Sequence, residues 1–206
     1  MRRAVLALAL TLTAAVPLAA QQMPSEAPGK PDAARVTAGT YTVDPAHTQV
    51  LFTVNHLGFS QYTGQFTDPS GTLTLDPANP EAAKVMVTFP IDKVSTTAKA
   101  LDEHLMKADF FDAEKYPEGK FVSTHVDASG RTATITGDLT LRGVTKPVVL
   151  KAEFIGAGPG MMGEHKTNIG FRATTQIKRS DFGIDYGIPL VSDRVDLVIN
   201  AAFEKQ

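Results

Sequence analysis

Apolar side chains return at every second position over most of the chain. Val50, Phe52, Val54 and His56 share one face, and Gln49, Leu51, Thr53 and Asn55 the other. Ala133, Ile135, Gly137, Leu139 and Leu141 alternate with threonines and Asp138. Val148, Leu150, Ala152 and Phe154 repeat the pattern. So do Ile169, Phe171, Ala173 and Ile177, and then Val195, Leu197, Ile199, Ala201 and Phe203. Leu73 with Leu75, and Val85, Val87 with Phe89, make shorter runs; Met86 blurs the last. Successive side chains point to opposite faces only on a β-strand, so each run predicts a strand with one buried face.

Turn formers separate the runs. Ser129-Gly130 and Arg142-Gly143 predict hairpin turns, and Asp68-Pro69-Ser70-Gly71 breaks the chain before Leu73. Gly156–Gly163, GAGPGMMG, reads as a long flexible hairpin loop. About eight short antiparallel strands make an all-β sandwich or an up-and-down barrel. A closed barrel has no free edges, and a small one can hold one ligand; any unpaired edge would be a route to a homodimer. The alternation fits a filled interior and a hollow one equally.

One stretch departs from the period. Between Ser95 and Tyr116 a helical excursion is expected, capped by Ser95, Thr96 or Thr97, with Leu101, Leu105 and Ala108 on one face. Asp109 and Asp112 are spaced to start a second short turn, and Pro117 ends it. Phe110 and Phe111 sit here among charges. Neighbours on a helix point about 100° apart, so the two rings cannot share one narrow face. They are expected to cap an opening, one ring inward and one against the rim.

The ends of the chain carry their own signals. Arg2 and Arg3 precede an apolar run, Ala4 to Val16, then Pro17 and Leu18-Ala19-Ala20. The run is shorter than the roughly 20 residues a spanning helix needs, so residues 1–20 read as a cleaved signal peptide. Residues 21–38 hold Pro24, Pro28 and Pro31 without apolar period and read as a disordered leader; the folded domain is expected over 39–206. The chain has no cysteine. An exported protein without disulfides needs a substantial core, and the 43% hydrophobic content provides for one. These features predict a periplasmic or secreted protein with no stable membrane insertion after cleavage. The formal charge of −2 gives no footing for nucleic acid.

Motifs for metal or catalysis are missing. The five histidines, His47, His56, His104, His125 and His165, lack the i, i+4 spacing of a helical metal site, and no metal is expected. His47 after Asp44-Pro45 reads as a turn residue, and His56 as a hydrogen-bonded core residue or a ligand contact. There is no nucleophile elbow, no metalloprotease pair and no phosphate-cradling glycine loop. Asp181-Phe182-Gly183 spells a kinase triplet without its companions. Asp44 with His47 or His56 would make an acid–base pair, but no nucleophile accompanies them. No catalytic residue and no cofactor are assigned, and the protein is read as a non-enzyme.

Five blocks together resemble the YceI-like family. They are YTVDPAHTQVLFTVNHLGF (Tyr41 to Phe59), HLMKADFFDAEKYP (His104 to Pro117), GDLTLRGVTKPV (Gly137 to Val148), KRSDFGI (Lys178 to Ile184) and VSDRVDL (Val191 to Leu197). The resemblance runs from about Tyr41 to Phe203. It implies a lipocalin-like antiparallel β-barrel with a short helical segment near one opening. It implies binding of a polyisoprenoid lipid, such as a prenyl diphosphate or an isoprenoid quinone, by exported proteins with no agreed catalytic residues.

On that reading the inward faces line a ligand cavity. The expected wall is Val50, Phe52, Val54 and His56; Leu73, Val87 and Phe89; Ile135, Leu139 and Leu141; and Phe171, Leu197 and Ile199. Leu101, Leu105, Phe110 and Phe111 are expected to join it from the helical excursion. His104, Lys107 and Arg179, with Lys178, are candidates for a polar head group, since basic side chains suit phosphate oxygens. Arg179 has a competing use in a network with Asp181 or Asp185. The function expected is storage, protection or transport of the lipid. The rival readings are an enzyme acting on a small apolar substrate and a structural β-domain with a filled core.

Overall fold

The computed structural model describes residues 25–161 and 164–206. The expected signal segment and the first residues of the leader lie outside the described residues. Eleven strands follow in chain order: β1 Gly39–Val43, β2 Gln49–His56, β3 Ser60–Phe66, β4 Ser70–Leu75, β5 Lys84–Pro90, β6 Val94–Ser95, β7 Glu118–Ser129, β8 Thr132–Leu141, β9 Val144–Pro159, β10 Thr167–Lys178 and β11 Arg194–Lys205. One α-helix, α1 Lys99–Leu105, lies between β6 and β7.

Eight strands close on themselves in the order β1-β4-β5-β7-β8-β9-β10-β11, with β1 pairing back onto β11, and every pairing is antiparallel. β11 forks. Phe203 pairs with Val43 of β1, while Asp196 to Asn200 pair with β2. β2, β3 and β6 thus extend the wall at one end of the barrel.

The fork is made by Asp44-Pro45-Ala46-His47. The Asp44 carboxylate accepts from the Ala46 N–H, and its other oxygen lies 2.6 Å from His47 Nδ1. Proline at the first turn position has no N–H to leave unpaired. The buried Thr48 hydroxyl donates to Ala202 O and accepts from Ala202 N, filling the break in the ladder. His47 is therefore the turn residue expected.

The predicted strands appear at β2, β4, β5, β8, β9, β10 and β11, and both predicted hairpin turns form. Arg142 and Gly143 take φ of 48° and 73°, the left-handed pair of a tight hairpin. β3 and β7 went unpredicted. Gly156 to Pro159, expected in a loop, continue β9. The helix is shorter than expected. Residues 106–117 fold as successive turns, among them Asp112 O accepting from Lys115 and Tyr116 N–H. Its start carries no side-chain cap; instead the Asp102 carboxylate accepts from Thr96 N and Thr96 Oγ1, each at 2.6 Å.

The leader differs from its expected disorder where it is described. Lys30 N donates to Ala157 O and Ala157 N to Lys30 O, at 3.0 and 2.9 Å. A turn of 3-10 helix follows at Ala33–Arg35, and Val36 is buried among Tyr41, Leu73, Phe154 and Phe203. The cause is an edge. β8 pairs with β9 only as far as Glu153, so the overshooting end of β9 would expose unpaired backbone, and Lys30 pairs it.

Candidate ligand-binding site

The barrel is hollow. A single cavity of about 600 Å³ runs between its ends. Strands of 12 residues rising about 3.3 Å per residue and tilted by about 40° give a barrel roughly 30 Å tall. Spread over that height, the cavity is long and narrow. Its volume falls within the roughly 300–1,000 Å³ of small-molecule sites.

Aromatic rings lie along the wall and leave the bore open. The Phe52 ring occupies the space a Cβ on Gly64 would need, at 2.3 Å. Phe89 covers Gly119 and Phe121 covers Gly137 in the same way, at 2.3 and 2.4 Å. A larger residue at any of these glycines would push a ring into the lumen. This accounts for Gly137 on an otherwise apolar inward face. Gly64-Gln65-Phe66 belongs to wall strand β3.

Each residue predicted for the wall lines this cavity. Val50, Phe52, Val54 and His56 do so from β2, Leu73 from β4, and Val87 and Phe89 from β5. Ile135, Leu139 and Leu141 line it from β8, Phe171 from β10, and Leu197 and Ile199 from β11. Leu101 and Leu105 of α1, with Phe110 and Phe111, complete that set. The periodicity missed Tyr62 and Phe66 of β3, Phe121 and Val126 of β7, and Ala33 and Val36 of the leader, all of which also line it.

One end is covered by α1, the turns after it and residues 179–193. Phe111 points inward onto Phe66, while Phe110 stays at the rim against His104 and Tyr186, at centroid distances of 5.0 and 5.3 Å. The inward ring and the rim ring expected for this pair are thus both present. Arg142, at the β8–β9 turn, ties the two coverings together by donating to Ala108 O and Gly183 O. The polar side chains at this end are His56, Tyr62, Thr96, His104, Arg179 and Tyr186. Leu57, Phe59 and Leu190 are exposed beside them, with Leu57 N donating to Leu190 O at 2.8 Å.

The predicted head-group residues fare differently. His104 lines the cavity, half exposed, with Nε2 at 3.4 Å from Asp109. Lys107 is exposed and off the cavity; its carbonyl accepts from Phe110 N and Asp112 N in the turns after α1. Lys178 likewise ends β10 facing solvent. Arg179 is buried, and its guanidinium is engaged elsewhere. Nε donates to Ser192 O, Nη1 to Ile184 O and Tyr186 O, and Nη2 to Val191 O. With four of five N–H groups used on carbonyls, it staples the loop 179–193 and is not the free cation a head group would need. Burial lowers its pKa, opposed by the charges of Asp193 and Asp185. His56, at the end of β2, is exposed at the cavity rim and not the core residue that was one expectation.

Asp193 anchors the same loop. It accepts from Ser180 N and Ser180 Oγ at 2.9 and 2.8 Å. Burial opposes its charge, but the Ser180 bonds and the nearby Lys178 and Arg179 outweigh burial and hold the carboxyl below its usual range. Among the described residues no cluster of three histidine or acidic side chains could hold a metal. None of the described helices is long and apolar enough to cross a membrane.

A closed eight-stranded antiparallel barrel with an apolar lumen and a helical cover at one mouth defines a lipocalin-like protein. The chain belongs to the YceI-like family, whose domain model matches residues 41–203. Protein YceI of Escherichia coli is 43% identical over 170 residues, covering 82% of this chain and 88% of that one. The crystal structure of the Campylobacter jejuni YCEI protein, 37% identical, superposes with a TM-score of 0.66 over 73% of this chain and 90% of that one. A polyisoprenoid binding domain from Saccharophagus degradans, 14% identical, shares the fold with a TM-score of 0.64 over 81% of this chain and 98% of that one.

Proposed function

We propose that this chain is an exported, non-enzymatic binding protein that holds a long isoprenoid lipid in the lumen of its barrel. The observation that carries the reading is the apolar cavity running from one end of the barrel to the other. A water-insoluble tail gains about 0.8 kcal/mol for each CH₂ it buries. A narrow tube with an apolar wall accepts that tail without leaving polar groups unpaired. The binding named in the description of the Saccharophagus degradans domain accords with such a lumen.

The head belongs at the helical end. There His56, His104, Tyr62 and Tyr186 offer hydrogen bonds, and Arg179, the arginine lining the cavity at that end, is engaged with backbone carbonyls. Imidazole and phenol groups suit the carbonyl oxygens of a quinone. A diphosphate calls for a free cation at the rim, so the geometry favours the quinone. Storage, protection or transport through an aqueous compartment follows from enclosing such a lipid.

Thermal unfolding with added ligand tests this. An isoprenoid quinone should raise Tm more than a prenyl diphosphate of equal tail length, because only a ligand bound to the native state stabilises it. Equal shifts would remove the quinone preference, and no shift with either would remove the function.

A further inference from the structure

We infer that the N-terminal segment 28–36 is the floor of the cavity and sets the length of lipid tail the protein accepts. This rests on the lipid-binding reading above and adds a specificity determinant outside the family match, which begins at residue 41.

At the end opposite α1, strands stop and the tube would open. Val36 and Ala33 line the cavity there, with Pro80 and Ala83 of the β4–β5 connection and Arg131 of the β7–β8 turn. Val36 is only 8% exposed, although its neighbours Arg35 and Thr37 face solvent. A lone buried side chain in an otherwise solvated segment is a stopper: its apolar surface finds cover only against the lumen and the lower wall. The charged side chain that lines this end is already occupied. Arg131 donates to Phe154 O and pairs with Glu153. A tail that reached the floor would therefore meet carbon.

The barrel is shaped to receive this segment. A Cβ on Gly158 would lie 2.2 Å from the Pro28 carbonyl oxygen, and one on Gly156 would lie 3.0 Å from that of Lys30. The first distance is too short for any other residue unless the segment moves, and the second would require it to give by a few tenths of an ångström. The glycines of GAGPG thus serve close approach of two backbones, around the reciprocal Lys30–Ala157 hydrogen bonds. Docking is specified from both sides: an edge with two missing side chains, and a valine aimed into the tube.

The test uses the purified full chain with a graded series of linear polyprenols, short to long, and native mass spectrometry to count retained ligand. Gly158→Ala should dislodge the segment, and hydrogen exchange at the Lys30 amide should speed up. Val36→Ser changes no strand residue and replaces the apolar stopper with a smaller, polar side chain. The wild-type protein should retain polyprenols up to a ceiling of length, and both variants should raise that ceiling. Each further CH₂ that fills space vacated at the floor should raise retention about fourfold, while carbons beyond it, back in water, should add nothing. An unchanged ceiling in variants that still bind short polyprenols overturns the floor and leaves the lipid-binding function standing. Unchanged protection of Lys30 in Gly158→Ala also overturns it, because the close approach is then not what holds the segment. Failure of the wild type to retain any polyprenol overturns both.

Discussion

The ring of Phe111 meets the ring of Phe66 edge-on, with centroids 5.3 Å apart and planes at 85°. This contact fastens the turns after α1 to the barrel wall, since Phe66 sits buried on β3 between Phe52 and Phe89. Phe110, its neighbour, makes its ring contacts with His104 and Tyr186 at the rim and only partly packs against the core. The two phenylalanines should therefore separate in their effects. Phe111→Ala removes a core ring and should cost about 2–4 kcal/mol in denaturant unfolding. Phe110→Ala should cost less than about 1 kcal/mol, yet speed loss of bound lipid by loosening the rim. Equal destabilisation by both would contradict the division of roles.

Arg179 should be a stability residue. Arg179→Met leaves the carbonyls of Ile184, Tyr186, Val191 and Ser192 without their donor. Each buried acceptor left unpaired costs about 1–3 kcal/mol, so a total loss above about 3 kcal/mol is expected even after the loop relaxes. Arg179→Lys should recover little, because one ammonium cannot span the planar fork. Full stability with altered lipid selectivity would instead make Arg179 a head-group ligand.

The loop 179–193 should loosen in acid. Asp193 has a folded pKa below the ordinary 3.8. A depressed carboxyl contributes stability that is fully present above its unfolded value and disappears as pH falls through the folded one. The Tm gap between the wild type and Asp193→Asn should therefore be constant near neutrality and close below about pH 4. A gap that widens in acid would reverse the sign and reject the assignment.

Filling the lumen should separate folding from binding. Ile199 faces the cavity from β11. Ile199→Trp adds bulk beside a void, so stability should change by no more than about 1 kcal/mol. Lipid retention should fall at least about tenfold, roughly the share of a few buried CH₂ groups. Unchanged retention would mean the lipid sits elsewhere.

How much of this was legible depended on whether burial left a period behind. β8, β10 and β11 alternate cleanly because each packs one face on the lumen throughout, and their inward residues were readable one by one. β7 hid because its register shifts between Ser123 and His125: Gly119 and Phe121 point inward on odd positions, Val126 on an even one. β3 hid because its middle inward position is Gly64, vacated for the Phe52 ring. A glycine needed for close packing and one needed for a turn look alike in a sequence, which is also why Gly156 and Gly158 read as a loop. The leader showed no period because, among its described residues, Val36 alone is buried. Arg179 looked like a ligand for phosphate because backbone carbonyls, its true partners, carry no residue identity.

Native mass spectrometry of the gently purified protein, followed by solvent extraction of whatever it carries, bears most directly on the hollow barrel as a lipid carrier. The account predicts one long-chain isoprenoid per chain in the wild type and none in Ile199→Trp. A wild-type protein that arrives free of any hydrophobic molecule, and takes up neither polyprenol nor isoprenoid quinone on incubation, would contradict it.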